Sequence, residues 1–284
     1  MYTFVDGKFI ESGKASVPVN DRSFMYGDGL FETASVRESR VIALESHLKR
    51  LANGADFLGI PCEVGQIRDA VRAFVERNRL RNGIIRVHLS RGSSKRGLAV
   101  VGPVKPRLVI VGEEKIPFEQ GSEHIGLRLG VVGGVKVDEG IPLTRFKTAN
   151  RLIYILARLE ANKGGYDDGI LLNHANHIVG ASAANLLWVK DGCIFFVPPS
   201  EGALPGITQE LVKRICGALG IVIQERLGRL EDILGADEVF VTSSGLGVVR
   251  VKQVGGVQWS ESPLVNRIRA AYLELICDSR IEEM

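Results

Sequence analysis

The stretch Arg145-Phe146-Lys147-Thr148-Ala149-Asn150-Arg151-Leu152 sets a lysine just ahead of an apolar helical period. Leu152, Ile155, Leu156 and Leu159 recur at the spacing of one helix face and mark an expected inward side. Gly164-Gly165 supplies a stop, so a helix is predicted over residues 149–163. The start of a helix is the positive end of its macrodipole, which disfavours a second positive charge. Partial burial acts in the same direction and favours the neutral amine, the form that attacks a carbonyl carbon. The plainer reading of Lys147 is a solvated surface charge.

Working outward, the chain before this stretch alternates strands and helices. Asp6-Gly7 between two short β-like runs is a hairpin signal. Strands are predicted at residues 30–36, 83–90 and 107–111, and 41–44 is a candidate partner for 30–36 across Glu38-Ser39. A helix begins near Ser46 with Leu48, Leu51, Ala52, Ala55, Phe57 and Leu58 inward, and another covers 64–78 with Ile67, Val71 and Phe74 on one face. Residues 113–124 are polar and aperiodic and read as a connection. Beyond it come predicted strands at 127–132, 169–172, 186–190, 193–197, 222–226 and 239–242. Asp191-Gly192 is a second hairpin turn, and helices fit 209–219 and 263–277. The pattern is α+β. It suggests a domain over 1–115, a linker over 116–124 and a second domain over 125–284.

The bulk properties narrow the class. A chain of 284 residues with 45% hydrophobic and 24% charged residues has the make-up of a globular protein with more than one core. Net charge is +3, from 36 basic and 33 acidic residues, which gives no footprint for nucleic acid. Arg91, Lys95 and Arg96 form a small basic cluster, either an anion site for a small substrate or a solvated loop. The four cysteines show no C-x-x-C pair and no metal-ligand spacing, so packed thiols are expected and no metal. The opening Met-Tyr-Thr-Phe-Val-Asp-Gly lacks the pattern of a signal peptide. No run approaches the ~20 apolar residues of a membrane span. A cytoplasmic location and no membrane partner are expected.

Two segments suit a phosphate group. Leu204-Pro205-Gly206-Ile207-Thr208 opens a predicted helix, where backbone N–H groups, a glycine and a hydroxyl converge. Thr242-Ser243-Ser244-Gly245 follows a predicted strand with two hydroxyls in a compact turn. Each has a plainer reading as a turn, with Thr208 as a helix cap.

Taken together, the five segments 26–33 (Tyr-Gly-Asp-Gly-Leu-Phe-Glu-Thr), 47–51 (His-Leu-Lys-Arg-Leu), 145–152, 204–208 and 236–244 resemble the class IV aminotransferase family, the pyridoxal-5′-phosphate (PLP) enzymes of fold type IV. Tyr26-Gly27-Asp28-Gly29-Leu30-Phe31-Glu32-Thr33 is similar to the family's N-terminal signature, and His47-Leu48-Lys49-Arg50-Leu51 to its H-x-x-R-L. The stretch around Lys147, the segment 204–208, and Ala236-Asp237-Glu238-Val239-Phe240 with Thr242-Ser243-Ser244 follow in family order. The resemblance implies a two-domain α+β fold with the active site in the interdomain cleft, a homodimer, and PLP as cofactor. It implies that Lys147 carries PLP as a Schiff base. Arg50, Gly206, Ile207, Thr208, Ser243 and Ser244 are then implied to bind its phosphate, and Tyr26 and Phe31 to face the substrate. The chemistry is consistent: a guanidinium forms paired, charge-assisted hydrogen bonds with a phosphate dianion.

Within the family, Ser90-Arg91-Gly92-Ser93-Ser94-Lys95-Arg96-Gly97, Lys147-Thr148-Ala149-Asn150-Arg151-Leu152 and Ala183-Ala184-Asn185-Leu186-Leu187-Trp188 resemble aminodeoxychorismate lyase. That resemblance implies 4-amino-4-deoxychorismate as substrate, pyruvate and 4-aminobenzoate as products, folate biosynthesis as the setting, and Arg91 and Arg96 as holders of the substrate carboxylates. A branched-chain or D-amino-acid aminotransferase is the alternative. One departure stands out: the glutamate that the family sets against the pyridine nitrogen, five positions before the asparagine at 185, is here Gly180. It favours elimination over transamination and also leaves open a degenerate PLP-binding homologue.

Overall fold

The protein is represented by a computed structural model in which residues 1–115, 126–278 and 281 are described. They fall into two units. Those within Met1–Pro117, Phe146–Asn150 and Ile276–Met284 form one, and those within Phe118–Arg145 and Arg151–Leu275 the other. The expected linker over 116–124 lies outside the described residues.

In the first unit, β1 (Tyr2–Val5) and β2 (Lys8–Glu11) pair through Val5 and Lys8, and Asp6 and Gly7 both take left-handed conformations. That is the turn Asp-Gly favours. A short helix, α1 (Arg22–Tyr26), is capped by Asp21, which accepts from Ser23 N at 2.9 Å. Then come β3 (Gly29–Arg37), β4 (Arg40–Val41), α2 (Leu44–Leu58), α3 (Val64–Arg77), β5 (Gly83–Ser90) and β6 (Arg107–Glu114). These strands form an antiparallel sheet in the order β2-β1-β6-β5-β3-β4. The expected strand at 41–44 stops at Val41, because Ala43 turns left-handed and α2 starts at Leu44. Alternation sends Leu30, Ala34, Ile85, Val87 and Leu89 into a core shared with Leu48, Leu51, Ile67, Val71 and Phe74. Phe57, expected inward, is half exposed, and its ring leans on Phe146 with 4.8 Å between centres.

The second unit holds β7 (Leu127–Val131), α4 (Leu152–Lys163), β8 (Asp168–Leu172), β9 (Ile178–Ala181), β10 (Asn185–Lys190) and β11 (Cys193–Phe196). It continues with α5 (Ile207–Leu219), β12 (Ile223–Glu225), α6 (Leu230–Leu234), β13 (Glu238–Ser243), β14 (Gly247–Val254), β15 (Val257–Gln258) and α7 (Pro263–Leu275). The sheet runs β12-β11-β10-β13-β14-β7-β8-β9, with β15 beside β14. β9 and β14 are absent from the predicted elements: one is four residues interrupted by Gly180, the other lacks clean alternation. The largest departure concerns α4. It begins at Leu152 rather than near 149, and its expected inward residues face outward: Leu152 is 60% exposed, Ile155 53% and Leu159 51%. The buried face is Ala157 and Ala161. A Cβ at Gly169 of β8 would stand 3.0 Å from Ala157 O and 3.3 Å from Ala161 Cβ. The helix therefore lies close on the sheet through its small residues, and the leucines are left outside.

Candidate active site

Lys147 does not open a helix. α4 begins only at Leu152, and the lysine sits in an extended segment running along β3. Phe31 N donates to Lys147 O at 2.9 Å, and Ala149 N to Gly29 O at 2.8 Å. Phe146 anchors the segment by packing against the core of the first unit. Lys147 is therefore not at the positive end of a helix macrodipole. Lys147 Nζ lies 5.1 Å from the centre of the Phe31 ring, and the Arg86 guanidinium stands 3.7 Å from the same ring.

The next residue of β3 is Glu32, buried in phase with Leu30 and Ala34. Its carboxylate takes Arg50 Nε on one oxygen and Arg50 NH2 on the other, each at 2.7 Å. His47 Nδ1 lies 2.7 Å from the second oxygen. Burial by itself would raise the Glu32 carboxyl, but Arg50 and then His47 hold it down to about 2. His47 is held below its ordinary value, chiefly by burial, with Arg50 and Lys147 opposing its charge and Glu32 favouring it. The ring is then neutral near pH 7 and donates through Nδ1, an assignment that follows from the hydrogen bond.

Arg91, expected to face a substrate carboxylate, is turned into the fold. Its Nε donates to Asp28 at 2.7 Å, and its NH1 and NH2 donate to the carbonyls of Gly59 and Leu58. Asp28 also binds Arg22 Nε at 2.7 Å; burial would raise its carboxyl, but the two arginines hold it below the ordinary range. The shared cause is a carboxylate in the segment before β3, which draws both cations inward. Arg96 is exposed. With Tyr26, Ser94 and Lys95 it lines a hollow of about 200 Å³, and Tyr26 Oη accepts from Gly97 N at 2.9 Å.

In the second unit, Gly206 is the extended residue before α5 and gives the helix no side-chain cap. The first-turn N–H groups have no intrahelical acceptor. A Cβ at Gly206 would run into Asn185 Oδ1, and Asn185 Nδ2 donates to Leu204 O at 2.8 Å. Asn185 pairs in register with Thr242, whose buried hydroxyl has no hydrogen-bond partner among the described residues. Thr208 is buried and hydrogen-bonded to Tyr272 of α7, so its hydroxyl ties two helices, while the peptide N–H groups of Ile207 and Thr208 stay at the helix start. Ser243 closes the turn after β13 by accepting from Leu246 N, and Ser244 follows it. Gly180 lies in β9 at φ 154°, and a Cβ there would meet Ala184 O at 3.0 Å. Asp168, at the start of β8, is buried, and its carboxylate binds Arg158 NH2 at 2.8 Å and the Ser182 hydroxyl.

Reading the sequence alone gives Glu32, His47 and Arg86 no role of their own. The available signal is phase. Glu32 is a charge at an apolar-phase position of β3, and His47 and Arg50 are three apart on the same face of α2 as Leu48 and Leu51.

Residues 29–254 match the family described as amino-transferase class IV, and the chain belongs to that family. It is 26% identical to the branched-chain-amino-acid aminotransferase of Escherichia coli (strain K12) over 96% of this chain and 92% of that one. It is 29% identical to the aminodeoxychorismate lyase of Vibrio harveyi over 84% of this chain and 87% of that one. Its fold superposes with a TM-score of 0.91 on the T.th. branched-chain amino acid aminotransferase with pyridoxamine 5′-phosphate, at 25% identity, covering 99% and 96% of the two chains. The protein is a PLP-dependent enzyme of this family, and its two-unit α+β architecture is that of fold type IV. The residues present fit the cofactor. In the first unit a lysine amine and a guanidinium held in one orientation, and in the second a helix start without a side-chain cap and a buried hydroxyl with no partner among the described residues, are donors of the kinds that suit an aldehyde bearing a phosphate. Among the described residues no group of three or more His, Cys, Asp or Glu is placed to hold a metal, and no helix is long and apolar enough to cross a membrane.

Proposed function

We propose that the enzyme is a 4-amino-4-deoxychorismate lyase, releasing pyruvate and 4-aminobenzoate. The observation that carries this reading is Gly180, which has no side chain where the family sets a carboxylate against the pyridine nitrogen and whose backbone, at φ 154° with Ala184 O 3.0 Å from where a Cβ would stand, disfavours one. Bound PLP supplies an electron sink conjugated to the substrate amine. A carboxylate beside the ring nitrogen would keep that nitrogen protonated and deepen the sink. A reaction that depends less on the sink suits this chain better, and elimination here has its own driving force because it leaves an aromatic ring.

Lys147 would hold the cofactor covalently and, once displaced by the substrate amine, take the proton from the carbon bearing that amine. The three-carbon side chain then leaves with the electron pair of the broken C–O bond and is protonated to pyruvate. Arg50, the peptide N–H groups of Ile207 and Thr208 beside Gly206, and the hydroxyls of Ser243 and Ser244 would bind the phosphate. Tyr26, Phe31 and Arg96 would face the substrate, whereas the bonds Arg91 already makes assign it to the fold. Such a reaction belongs to cytoplasmic folate biosynthesis. A second copy of the chain would cover the exposed apolar face of α4, making a homodimer.

A branched-chain or D-amino-acid aminotransferase is the second reading, supported by the likeness to the E. coli enzyme. Incubating the full-length protein with aminodeoxychorismate should yield pyruvate and 4-aminobenzoate in equal amounts. A parallel panel of L- and D-amino acids with 2-oxoglutarate should turn over slowly. Rapid amino-group transfer without any 4-aminobenzoate would replace the first reading by the second.

A further inference from the structure

Glu32 is a carboxylate in a position where the strand asks for a hydrocarbon. Its neighbours in phase, Leu30 and Ala34, pack into the core, and Glu32 itself is only 3% exposed. A buried ion pair adds little to stability over an apolar residue of the same shape, because desolvation offsets most of the attraction. The arrangement around it is nevertheless complete. Both oxygens are bonded to Arg50, and His47 meets one of them from one turn earlier on α2.

A guanidinium is planar, so fixing Nε and NH2 fixes where NH1 lies. The same strand also carries the lysine, through the Phe31 N–H on Lys147 O one residue before Glu32. Two consecutive residues of β3 therefore set the backbone of Lys147 and the plane of Arg50. We propose that Glu32 is a positioning residue for cofactor recognition: by bonding Arg50 through Nε and NH2 it fixes the plane in which the guanidinium meets the phosphate, at a fixed offset from Lys147. The inference rests on the reading that Arg50 meets the phosphate. The opposite expectation is also physical, since a carboxylate on an arginine competes with any other anion for it.

The two expectations differ in sign. Full-length Glu32→Gln, stripped of cofactor and titrated by equilibrium dialysis, should bind PLP more weakly by on the order of ten- to a hundredfold. Its affinity for pyridoxal, which lacks the phosphate, should not change. In an Arg50→Ala background the Glu32→Gln change should have no further effect on PLP affinity. Arg50→Lys, which keeps the charge and loses the fork, should lose as much PLP affinity as Arg50→Ala, and this variant serves even if Glu32→Gln does not fold. Tighter PLP binding in Glu32→Gln would overturn the proposal in favour of competition. Equal losses for PLP and pyridoxal, or a fully active Arg50→Lys, would overturn it in favour of a role in the fold alone. If Arg50→Ala leaves PLP affinity unchanged, the assignment of Arg50 to the phosphate fails, and the inference with it.

Discussion

Phe31 donates its backbone N–H to the carbonyl of Lys147 at 2.9 Å, so the lysine rides on the edge of β3. Its Nζ is placed by a strand and by the Phe31 ring 5.1 Å away, with Arg86 against the same ring. Replacing the side chain leaves that backbone bond intact. Lys147→Ala should therefore fold and lose all covalently held cofactor. Borohydride reduction of the wild type followed by peptide mapping should place the phosphopyridoxyl group on Lys147. A label on another lysine would refute the assignment.

The Glu32, His47 and Arg50 cluster should make the protein acid-sensitive. Glu32 titrates at about 2 in the folded chain against an ordinary 4.5. Its contribution is complete above 4.5 and is lost as the pH falls toward 2, amounting to about 3 kcal/mol. His47 is held below its ordinary 6.5, chiefly by burial. The unfolded chain therefore gains a proton first, and stability begins to drop once the pH falls below 6.5. Denaturant unfolding followed from about pH 7 to about pH 3 should show both limbs. Glu32→Gln should flatten the lower one; an unchanged acid limb in that variant would mean the carboxylate is not what titrates.

Gly180 should resist replacement. At φ 154° an L-residue is strained, and its Cβ would press on Ala184 O at 3.0 Å. Gly180→Ala is expected to lower stability by about 1–3 kcal/mol. Gly180→Glu is expected to lose stability without gaining transamination, because the strand must shift before a carboxylate can point anywhere useful. Thermal unfolding with both activity assays decides the matter, and a Gly180→Ala protein as stable as wild type would show that the strand gives way easily.

The outward leucines of α4 predict self-association. An apolar stripe of Leu152, Ile155, Leu156 and Leu159 exposed on one helix is unusual for a monomer. Sedimentation equilibrium should find two chains in the wild type and one in Leu156→Glu/Leu159→Glu. Dimers that survive the double substitution would move the contact elsewhere.

Much of the architecture is legible in the sequence, for local reasons. Asp6-Gly7 and Asp191-Gly192 form hairpin turns because both residues tolerate left-handed backbone. The face Ile67, Val71 and Phe74 is buried as its period requires. The helix after Gly206 begins where the glycine and the following residues indicate. The segments that carry Lys147 and Arg50 stand out through their resemblance to the family's motifs, and the one that carries Thr208 also as a helix start with a glycine and a hydroxyl.

What the sequence determined by itself was therefore the local backbone, the apolar phase of most elements and the residue types available for phosphate and aldehyde chemistry. Only the tertiary structure decided what each face and each charge would meet. The period of α4 marked an apolar stripe but not that Gly169 would draw its alanines inward and leave the leucines outside. Arg91 and Arg50 read alike as cations available to an anion, yet Asp28 turns one into the fold and Glu32 fixes the plane of the other. Lys147 read as a helix start and became a passenger on β3. The reason is common to all three. Periodicity and propensity are properties of neighbours in the chain, whereas the partner of a side chain is set by residues many positions away that only folding brings within hydrogen-bond reach.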